Sequence, residues 1–217
     1  MTAKRNAKEE SALKYWEERK EREGILKNKH YKYFYTEHFG LDDNFYAGKK
    51  VLDIGCGARG SLEWADLASE RIGLDPLADD YVKLEGKSHK MKYQAGYSEK
   101  IPFADGYFDV VCSFNSLDHV DDLKRSIKEI GRITKPGGLF LLITDIHEKP
   151  TLREPQVFSW DITRKFRPAF RLSEEKHFEK AENSRGIYEG ILANVPFDHA
   201  QKTGRYGILS AKFVRSK

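Results

Sequence analysis

VLDIGCGARG, at residues 51–60, joins a short apolar run to three glycines that stand close together. Because glycine carries no Cβ, the chain can turn sharply here and a ligand can approach the main chain. The next segment, SLEWADLA (residues 61–68), has helical spacing, and the first N–H groups of a helix there would face the same ligand. The stretch therefore predicts a βα turn that forms one wall of a binding site.

Two carboxylates narrow the class of ligand. Asp53 precedes the first glycine by two residues, where it would repel a pyrophosphate but attract a cationic or amino-bearing group. Asp75 ends the next apolar run, RIGLD, and a carboxylate about 20 residues beyond a glycine turn reaches ribose hydroxyls. Together they predict a pocket for a nucleoside with an amino-bearing arm and no phosphate. The alternatives are a structural turn in which Asp75 caps a helix, and a dinucleotide site.

Composition is typical of one domain of ordinary size. The chain has 217 residues, of which 39% are hydrophobic and 33% charged, and its net charge of +4 implies no polyanionic partner. Cys56 and Cys112 lie in apolar runs without paired spacing, which predicts buried free thiols in a reducing compartment. No apolar run reaches the length of a membrane span and the polar start lacks a signal-peptide core. We therefore expect a soluble, cytoplasmic protein without a membrane partner.

Beyond residue 48, apolar runs alternate with helical patterns. This alternation predicts right-handed βαβ units and a parallel sheet, and the runs VVCSF and LFLLI are typical of strands buried on both faces. Asp121 and Asp122 would cap the clearest helix, and the glycines after Pro136 would stop it. The predicted strands are 50–54, 71–74, 91–94, 108–114, 138–143, 170–178 and 206–214, and the predicted helices are 61–68, 78–84, 121–134 and, shorter, 161–165.

Residues 1–48 form a predicted N-terminal helical extension. The first ten residues are polar and expected to fray, whereas residues 11–23 are rich in helix formers and Gly24 would end their helix. KHYKYFYTEHF, at residues 29–39, carries five aromatic residues and predicts a second helix that packs on the domain. Its interleaved basic residues leave contact with nucleic acid as an alternative.

Five segments together resemble class I S-adenosylmethionine-dependent methyltransferases of the broad type-11 kind. They are VLDIGCG (51–57), IGLDP (72–76), EKIPF (99–103), FDVVCSFNSLDHVDD (108–122) and KPGGLFLLI (135–143). Each is weak alone, but all five stand in the family's order and spacing. The resemblance implies an α/β fold, a Rossmann-like, doubly wound sheet of seven strands with an antiparallel last strand. It also implies a methyltransferase domain at residues 49–217 with substrate-side insertions at about 145–169 and 181–204.

The resemblance further implies S-adenosyl-L-methionine as the cofactor. Asp53 would lie near its amino group, the turn at Gly55 to Gly57 near its carboxylate and ribose, and Asp75 on the ribose hydroxyls. Two positions depart from the family pattern, since Arg59 stands where glycine is usual and Tyr97 where aspartate is frequent. The implied cofactor-binding residues are Asp53, Gly55, Cys56, Gly57, Asp75, Pro76, Tyr97, Ser98 and Asn115.

Methyl transfer requires an aligned nucleophile and, where needed, a base that takes its proton. In an open α/β sheet such groups lie at the carboxyl ends of the strands. His119, His147 and His199 meet that condition, and each stands beside an aspartate. We predict that one of them, foremost His119, is the general base, and the alternative is a structural histidine. Because no short spacing such as H-x-x-x-H is present, no metal site is predicted.

The acceptor is predicted to be a small molecule, methylated at oxygen or nitrogen. No N-P-P-[YF] stretch follows the fourth strand, which argues against adenine-amino methylation of DNA, and nucleic acid is not the expected partner. The mixed polar and aromatic residues after the fifth strand either line the acceptor pocket or pin their own loop, as do Tyr188 and Phe197. The residues after the fifth strand are Arg153, Glu154, Gln156, Phe158, Trp160 and Asp161.

Other functions stay open at this point. The chain could methylate RNA or protein, or it could bind S-adenosylmethionine without catalysis and act through its N-terminal helices. The sequence does not indicate an oligomeric state.

Overall fold

Seven strands form one sheet in the order β3-β2-β1-β4-β5-β7-β6. The computed structural model of the chain describes residues 5–180, 186–201 and 206–217. The strands are β1 (Lys50–Ile54), β2 (Glu70–Asp75), β3 (Lys92–Ala95), β4 (Phe108–Phe114), β5 (Thr134–Ile146), β6 (Phe170–Glu179) and β7 (Gly207–Arg215). The helices are α1 (Ala7–Glu23), α2 (Tyr31–Tyr35), α3 (Ala78–Leu84), α4 (Leu123–Ile133) and α5 (Ile187–Ala193).

The topology confirms the predicted α/β class and its antiparallel last strand. β1 lies at the centre of the parallel part, between β2 and β4, so that Asp53 is opposite both Gly73 and Cys112. β7 runs antiparallel to both of its neighbours, β5 and β6. The carboxyl ends of β1, β2 and β4 therefore meet at one edge of the sheet, which is where such folds bind ligands.

Each face of the sheet has its own hydrophobic core, because side chains alternate along a strand. On one face, Leu52 and Ile54 pack in a cluster with Ile130 of α4 and with Phe166. On the other face, Val51 packs in a cluster with aromatic residues of the N-terminal segment and with residues of α5. Both cysteines are free and buried, as predicted.

The N-terminal segment is part of the second core. Tyr31, Phe34, Tyr35 and Phe39 are all buried there, which confirms that this aromatic segment docks on the domain. Its helix is shorter than predicted, since α2 spans Tyr31–Tyr35 and a 3₁₀ turn continues from Glu37 to Phe39. Four of its five aromatic rings are thus unavailable for stacking on nucleic-acid bases.

Helix α1 begins earlier than predicted and ends where predicted. The Asn6 side chain accepts from the Glu9 N–H and the Asn6 N–H donates to the Glu9 carboxylate, so residues 7–10 are helical rather than frayed. Gly24 terminates the helix with a positive φ of 70°. The polar character of the first ten residues concealed this capping box.

The predicted helix at residues 61–68 is wrong, because tertiary contacts occupy its carbonyl groups. Arg71 donates to the carbonyl of Glu63 at 2.8 Å, and the Gly48 N–H donates to the carbonyl of Leu67 at 2.9 Å. The segment instead forms tight turns closed by bonds between residues three apart, such as Ala65 to Leu62 at 3.1 Å. Helical spacing alone could not reveal these competing partners.

Helix α4 is capped as predicted, since the Asp122 side chain accepts from the Arg125 N–H. The stop is different, because α4 ends at Ile133 and β5 starts at once with Thr134. The segment after Pro136 is a bulge within the paired strand, where the register shifts between Phe108 and Val110 of β4.

The short predicted helix near residues 161–165 is confirmed as a 3₁₀ helix, Trp160–Phe166. In the described part of the chain, no helix is long and apolar enough to cross a membrane.

We expect His38 to make folding stability depend on pH. Its side chain is buried, Nε2 lies 2.7 Å from the Ser210 hydroxyl, and burial, with a further contribution from Lys176, lowers its pKa to about 4. An unfolded histidine titrates near 6.5, so below that pH the unfolded chain takes up the proton and the folded state loses stability. Between pH 7 and pH 5 this group should cost roughly 1.5 kcal/mol.

Urea unfolding at both pH values would measure this loss. The variant His38→Gln keeps a hydrogen-bond partner for Ser210 but has no imidazole to titrate. Its loss of unfolding free energy between pH 7 and pH 5 should therefore be smaller than that of the parent protein by roughly 1.5 kcal/mol. Equal losses in the two proteins would show that His38 is not responsible.

Candidate cofactor and acceptor site

A cavity of about 590 Å³ opens at the carboxyl ends of β1, β2 and β4, a size typical of small-molecule sites. All nine residues predicted to bind the cofactor line it, from Asp53 to Asn115. Of the three predicted histidines, only His119 lines it. The local motifs therefore lead to one site, whereas the histidines do not.

The glycine turn brings the backbone close to neighbouring segments. Gly55 has a φ of 71°, and a Cβ there would lie 2.2 Å from the Cβ of Ser116. Gly57 has a φ of 60°, and a Cβ there would lie 2.5 Å from the ring of Trp16 in α1. Since both the left-handed backbone and the crowding exclude side chains, the turn needs glycine at these two positions.

Asp53 is a buried carboxylate held by hydroxyl groups. Tyr35 donates to its Oδ2 at 2.9 Å, and the Ser61 hydroxyl donates to the same oxygen. Among the described residues no cation pairs with it, and burial raises its pKa to about 7. A bound ammonium group would supply the missing counter-charge.

Asp75 holds the turn and the start of α3. Its carboxylate accepts from the Leu77 N–H at 2.9 Å and from the Gly57 N–H at 3.4 Å. Burial raises its pKa to about 6 despite these bonds. Asp75 therefore holds the glycine turn and lines the cavity, but it does not cap α3, whose N-cap is Leu77 without a side-chain cap bond.

Tyr97 contacts a carboxylate, that of Glu9, which comes from a distant part of the chain. The Tyr97 hydroxyl donates to Glu9 Oε1 at 2.6 Å, and both residues line the cavity. Glu9 is buried although it also closes the capping box of α1. An acidic group thus stands beside the position where the family frequently has aspartate, but it comes from the N-terminal helix.

Helix α1 crosses the cavity and is tied to its rim at both ends. Near its start, Lys8 donates to the carbonyl of His119 at 2.7 Å and pairs with Asp121. Near its end, Glu23 receives two hydrogen bonds of 2.7 Å from the buried guanidinium of Arg59. The Arg59 side chain therefore turns away from the glycine turn and anchors α1.

Several cavity residues were not predicted from the sequence. Tyr35 and Ser61 bind Asp53, and Ser116 donates to the carbonyl of Ile54 at 2.6 Å. Glu9 and Trp16 come from α1. No local pattern in the sequence points to these residues, because their contacts join separate segments of the chain.

The residues proposed for the acceptor pocket divide into two groups. Arg153, Glu154 and Tyr188 line the cavity. Phe158 is buried in the core and Trp160 stacks against His177, with ring centroids 4.1 Å apart. Gln156, Phe158, Trp160, Asp161 and Phe197 therefore do not line this cavity. For most of them the alternative interpretation, a loop held by its own side chains, is the better one.

The three histidines have different environments. His119 is one-third exposed, and burial lowers its pKa to about 4, so its imidazole is neutral at neutral pH. His147 is buried, and its Nδ1 lies 2.8 Å from the carbonyl of Lys149. His199 contacts His177, 2.8 Å away, in a separate cluster with Trp160.

A group of polar side chains surrounds Asp118 at the acceptor end. Asp118 is fully buried, and burial raises its pKa to about 8. Its two carboxylate oxygens lie 3.8 Å from His119 Nε2 and 4.0 Å from His147 Nε2. None of these four atoms has a hydrogen-bond partner among the described residues.

The lining fits S-adenosylmethionine. Asp53 lacks a cationic partner among the described residues, Asp75 presents a second carboxylate, and the glycine turn admits a ligand close to the main chain. Two carboxylates at this end would oppose a diphosphate. The site therefore suits a cationic nucleoside better than a dinucleotide.

Comparison with known proteins agrees with the fold and the motifs. A family model described as a methyltransferase domain matches residues 52–142. Tocopherol O-methyltransferase of Arabidopsis thaliana is 33% identical over 121 residues, which cover 52% of this chain and 35% of that protein. A sterol 24-C-methyltransferase of Gibberella zeae is 33% identical over 122 residues, covering 51% and 32%. The chain thus spans about a third of the length of these curated relatives.

Among solved structures, the [4+2]-cyclase SpnF superposes with a TM-score of 0.58 at 19% identity, over 78% of this chain and 75% of that one. A likeness this distant shows the fold alone. The family model spans the strands and turns that build the cavity, so residues 52–142 match a methyltransferase domain, and such a domain implies S-adenosylmethionine as the cofactor.

Proposed function

We propose that this protein transfers a methyl group to a small-molecule acceptor, at oxygen or nitrogen, with oxygen favoured. The observation that carries the proposal is that one cavity is lined both by the glycine turn and by His119 and Glu154. The turn with its carboxylates is suited to the cofactor, and His119 and Glu154 are groups that can activate a hydroxyl. The named activities of the relatives in the family support a small acceptor.

The chain's own residues divide the work between binding and activation. Asp53 holds the amino group, Asp75 the ribose hydroxyls, Tyr97 and Ser98 the adenine, and Asn115 closes the methionine end. When bound, S-adenosylmethionine supplies an electrophilic methyl group on sulfur. His119 is the histidine we assign to the acceptor, because it alone of the three lines the cavity. We also propose a cytoplasmic location, on the basis of the two free thiols.

Residues 1–48 are proposed to act as part of the cofactor site, with residues 49–217 as the methyltransferase domain. The buried aromatic rings of residues 31–39 weigh against RNA methylation through this segment. The contacts of α1 with the cavity rim likewise favour a role in cofactor binding over a separate interaction surface.

Asp53 is expected to make cofactor affinity depend on pH. Its pKa of about 7 means that the carboxylate gains a proton as the pH falls through 7, and an ammonium group then loses its counter-charge. From pH 7.5 to pH 6.0, we expect protonation of Asp53 alone to lower the affinity for S-adenosylhomocysteine roughly five- to tenfold. Calorimetry at the two pH values measures this change.

The variant Asp53→Asn provides the control for this experiment. It should bind weakly at both pH values and keep only the roughly twofold dependence that Asp75, with its pKa of about 6, would add. An unaltered dependence in the variant would remove Asp53 from the cofactor site.

Glu9 is expected to contribute to cofactor affinity although it lies in α1. Replacing it with glutamine keeps the capping geometry but removes the charge beside Tyr97, so we expect roughly tenfold weaker binding of S-adenosylhomocysteine. Glu10→Gln is the matched control, because Glu10 lies in the same turn but is exposed. Equal affinities in the two variants would contradict the role of Glu9.

His119 is expected to act on the acceptor rather than on the cofactor. In a screen of small-molecule acceptors with labelled methyl donor, His119→Ala should lower turnover by roughly 100-fold or more. Its affinity for S-adenosylhomocysteine should stay within a few-fold of the parent protein. His199→Ala is the comparison, because that histidine does not line the cavity and should leave turnover unchanged. Unchanged turnover in His119→Ala would clear His119 of this role.

A further inference from the structure

Asp118, His119 and His147 bring together four buried polar side-chain atoms that have no hydrogen-bond partner among the described residues. One ligand atom each from Asp118, His119 and Glu154 lies within 4.8 Å of the other two. Asp118 is fully buried, yet neither of its carboxylate oxygens has a hydrogen-bond partner among the described residues. A buried carboxylate left in this way is costly, so the side chain either takes up a proton or pairs with a cation.

His147 adds a fourth nitrogen to the group. The carbonyl of Lys149 can only accept, so its 2.8 Å contact with Nδ1 requires the proton on Nδ1. The lone pair of Nε2 then faces Asp118 Oδ2, 4.0 Å away. Two electron-rich atoms that face each other without a hydrogen bond are the arrangement found around a metal ion, and histidine ligands usually donate their other N–H in this manner.

The charges around this group favour the binding of a divalent ion. Lys180 is paired with Asp145 and leaves Asp118 uncompensated. Neither Asp118 nor Glu154 forms an ion pair with lysine or arginine among the described residues. Two carboxylates and one or two imidazoles are a ligand set that suits Zn²⁺ and related transition-metal ions.

The backbone holds the ligands in place from two segments. Asp118 and His119 belong to the 3₁₀ turn that follows β4, Leu117–His119. The Gln156 N–H donates to the carbonyl of Asp118 at 3.1 Å, which ties the segment carrying Glu154 to this turn. Ligand atoms around a tetrahedral zinc ion are about 3.3–3.6 Å apart, so the observed 3.8 Å between Asp118 and His119 needs only a small contraction.

We propose that Asp118, His119 and Glu154, with His147 behind them, bind a divalent transition-metal ion of the Zn²⁺ or Mn²⁺ class at the acceptor end of the cavity. His119 and Glu154 line the cavity, so the ion is accessible from it. The role of the ion rests on the proposed function: it would hold the acceptor oxygen and lower the pKa of its hydroxyl group, so that the proton passes to solvent water before the oxygen takes the methyl group from sulfur. His119 would then act as a ligand of the ion and not as a general base.

Calorimetry of the full chain, after dialysis against a chelator, tests the site with ZnCl₂ and MnCl₂ as probes. We expect saturable binding of one ion per chain by at least one of the two. Asp118→Asn, which is nearly isosteric, and Glu154→Gln should each weaken it at least roughly 10- to 100-fold. His177→Asn is the control, since it alters the separate cluster of His177, His199 and Glu175, and it should leave binding unchanged.

Binding of S-adenosylhomocysteine, measured in parallel, shows that each protein is folded and keeps the two proposals apart. If the parent protein binds S-adenosylhomocysteine but neither metal ion, the proposed metal site is wrong. Metal binding that is lost in His177→Asn but kept in Asp118→Asn and Glu154→Gln would also overturn it. Metal binding that depends on Asp118 in a protein without methyl transfer would support the site and contradict the function.

Discussion

The desolvated carboxylate of Asp53 is the constraint around which the cavity is arranged. β1 carries it to the centre of the sheet, between β2 and β4, where burial raises its pKa to about 7. A charge there is costly unless hydrogen bonds or a cation compensate it. Tyr35 and Ser61 supply the hydrogen bonds, and a cationic ligand supplies the charge. Because Tyr35 comes from the docked aromatic segment, the N-terminal region is needed to complete the site.

The elements and site residues that could be predicted from the sequence are those determined by nearby residues in the chain. Strands buried on both faces appear as apolar runs, and the carboxylates of Asp53 and Asp75 follow from their positions beside the glycine turn. The predicted helix at residues 61–68 is wrong because Arg71, which lies outside the segment, donates a hydrogen bond to a carbonyl group within it. Glu9 could not be foreseen beside Tyr97, since 88 residues separate them in the chain. Trp160 illustrates the opposite error, because this aromatic residue, close to the site in sequence, packs against His177 of β6 instead of lining the cavity.

The buried carboxylates of the site differ in their hydrogen-bond partners, and this difference indicates different ligands for them. At the cofactor end, hydroxyl and N–H groups donate to Asp53 and Asp75, so each carboxylate is partly satisfied before a ligand binds. At the acceptor end, Asp118 faces imidazole nitrogens and has no donor in the described part of the chain. Donors around a carboxylate suit a ligand that brings one charge, whereas acceptors that face one another suit the metal ion proposed above.

Two of the ion pairs that hold helix α1 against the rim of the cavity differ in strength. Lys8 pairs with Asp121, whose side chain is 69% exposed, and such surface pairs contribute about 0–1 kcal/mol. Arg59, with only 8% of its side chain exposed, makes two hydrogen bonds to Glu23, and bidentate charged pairs of this kind are the stronger ones. The Arg59–Glu23 pair at the end of α1 therefore contributes more stability than the Lys8–Asp121 pair at its start. Glu9 lies one residue from Lys8 and accepts a hydrogen bond from Tyr97, so docking of α1 on the rim is what brings this carboxylate to the cavity.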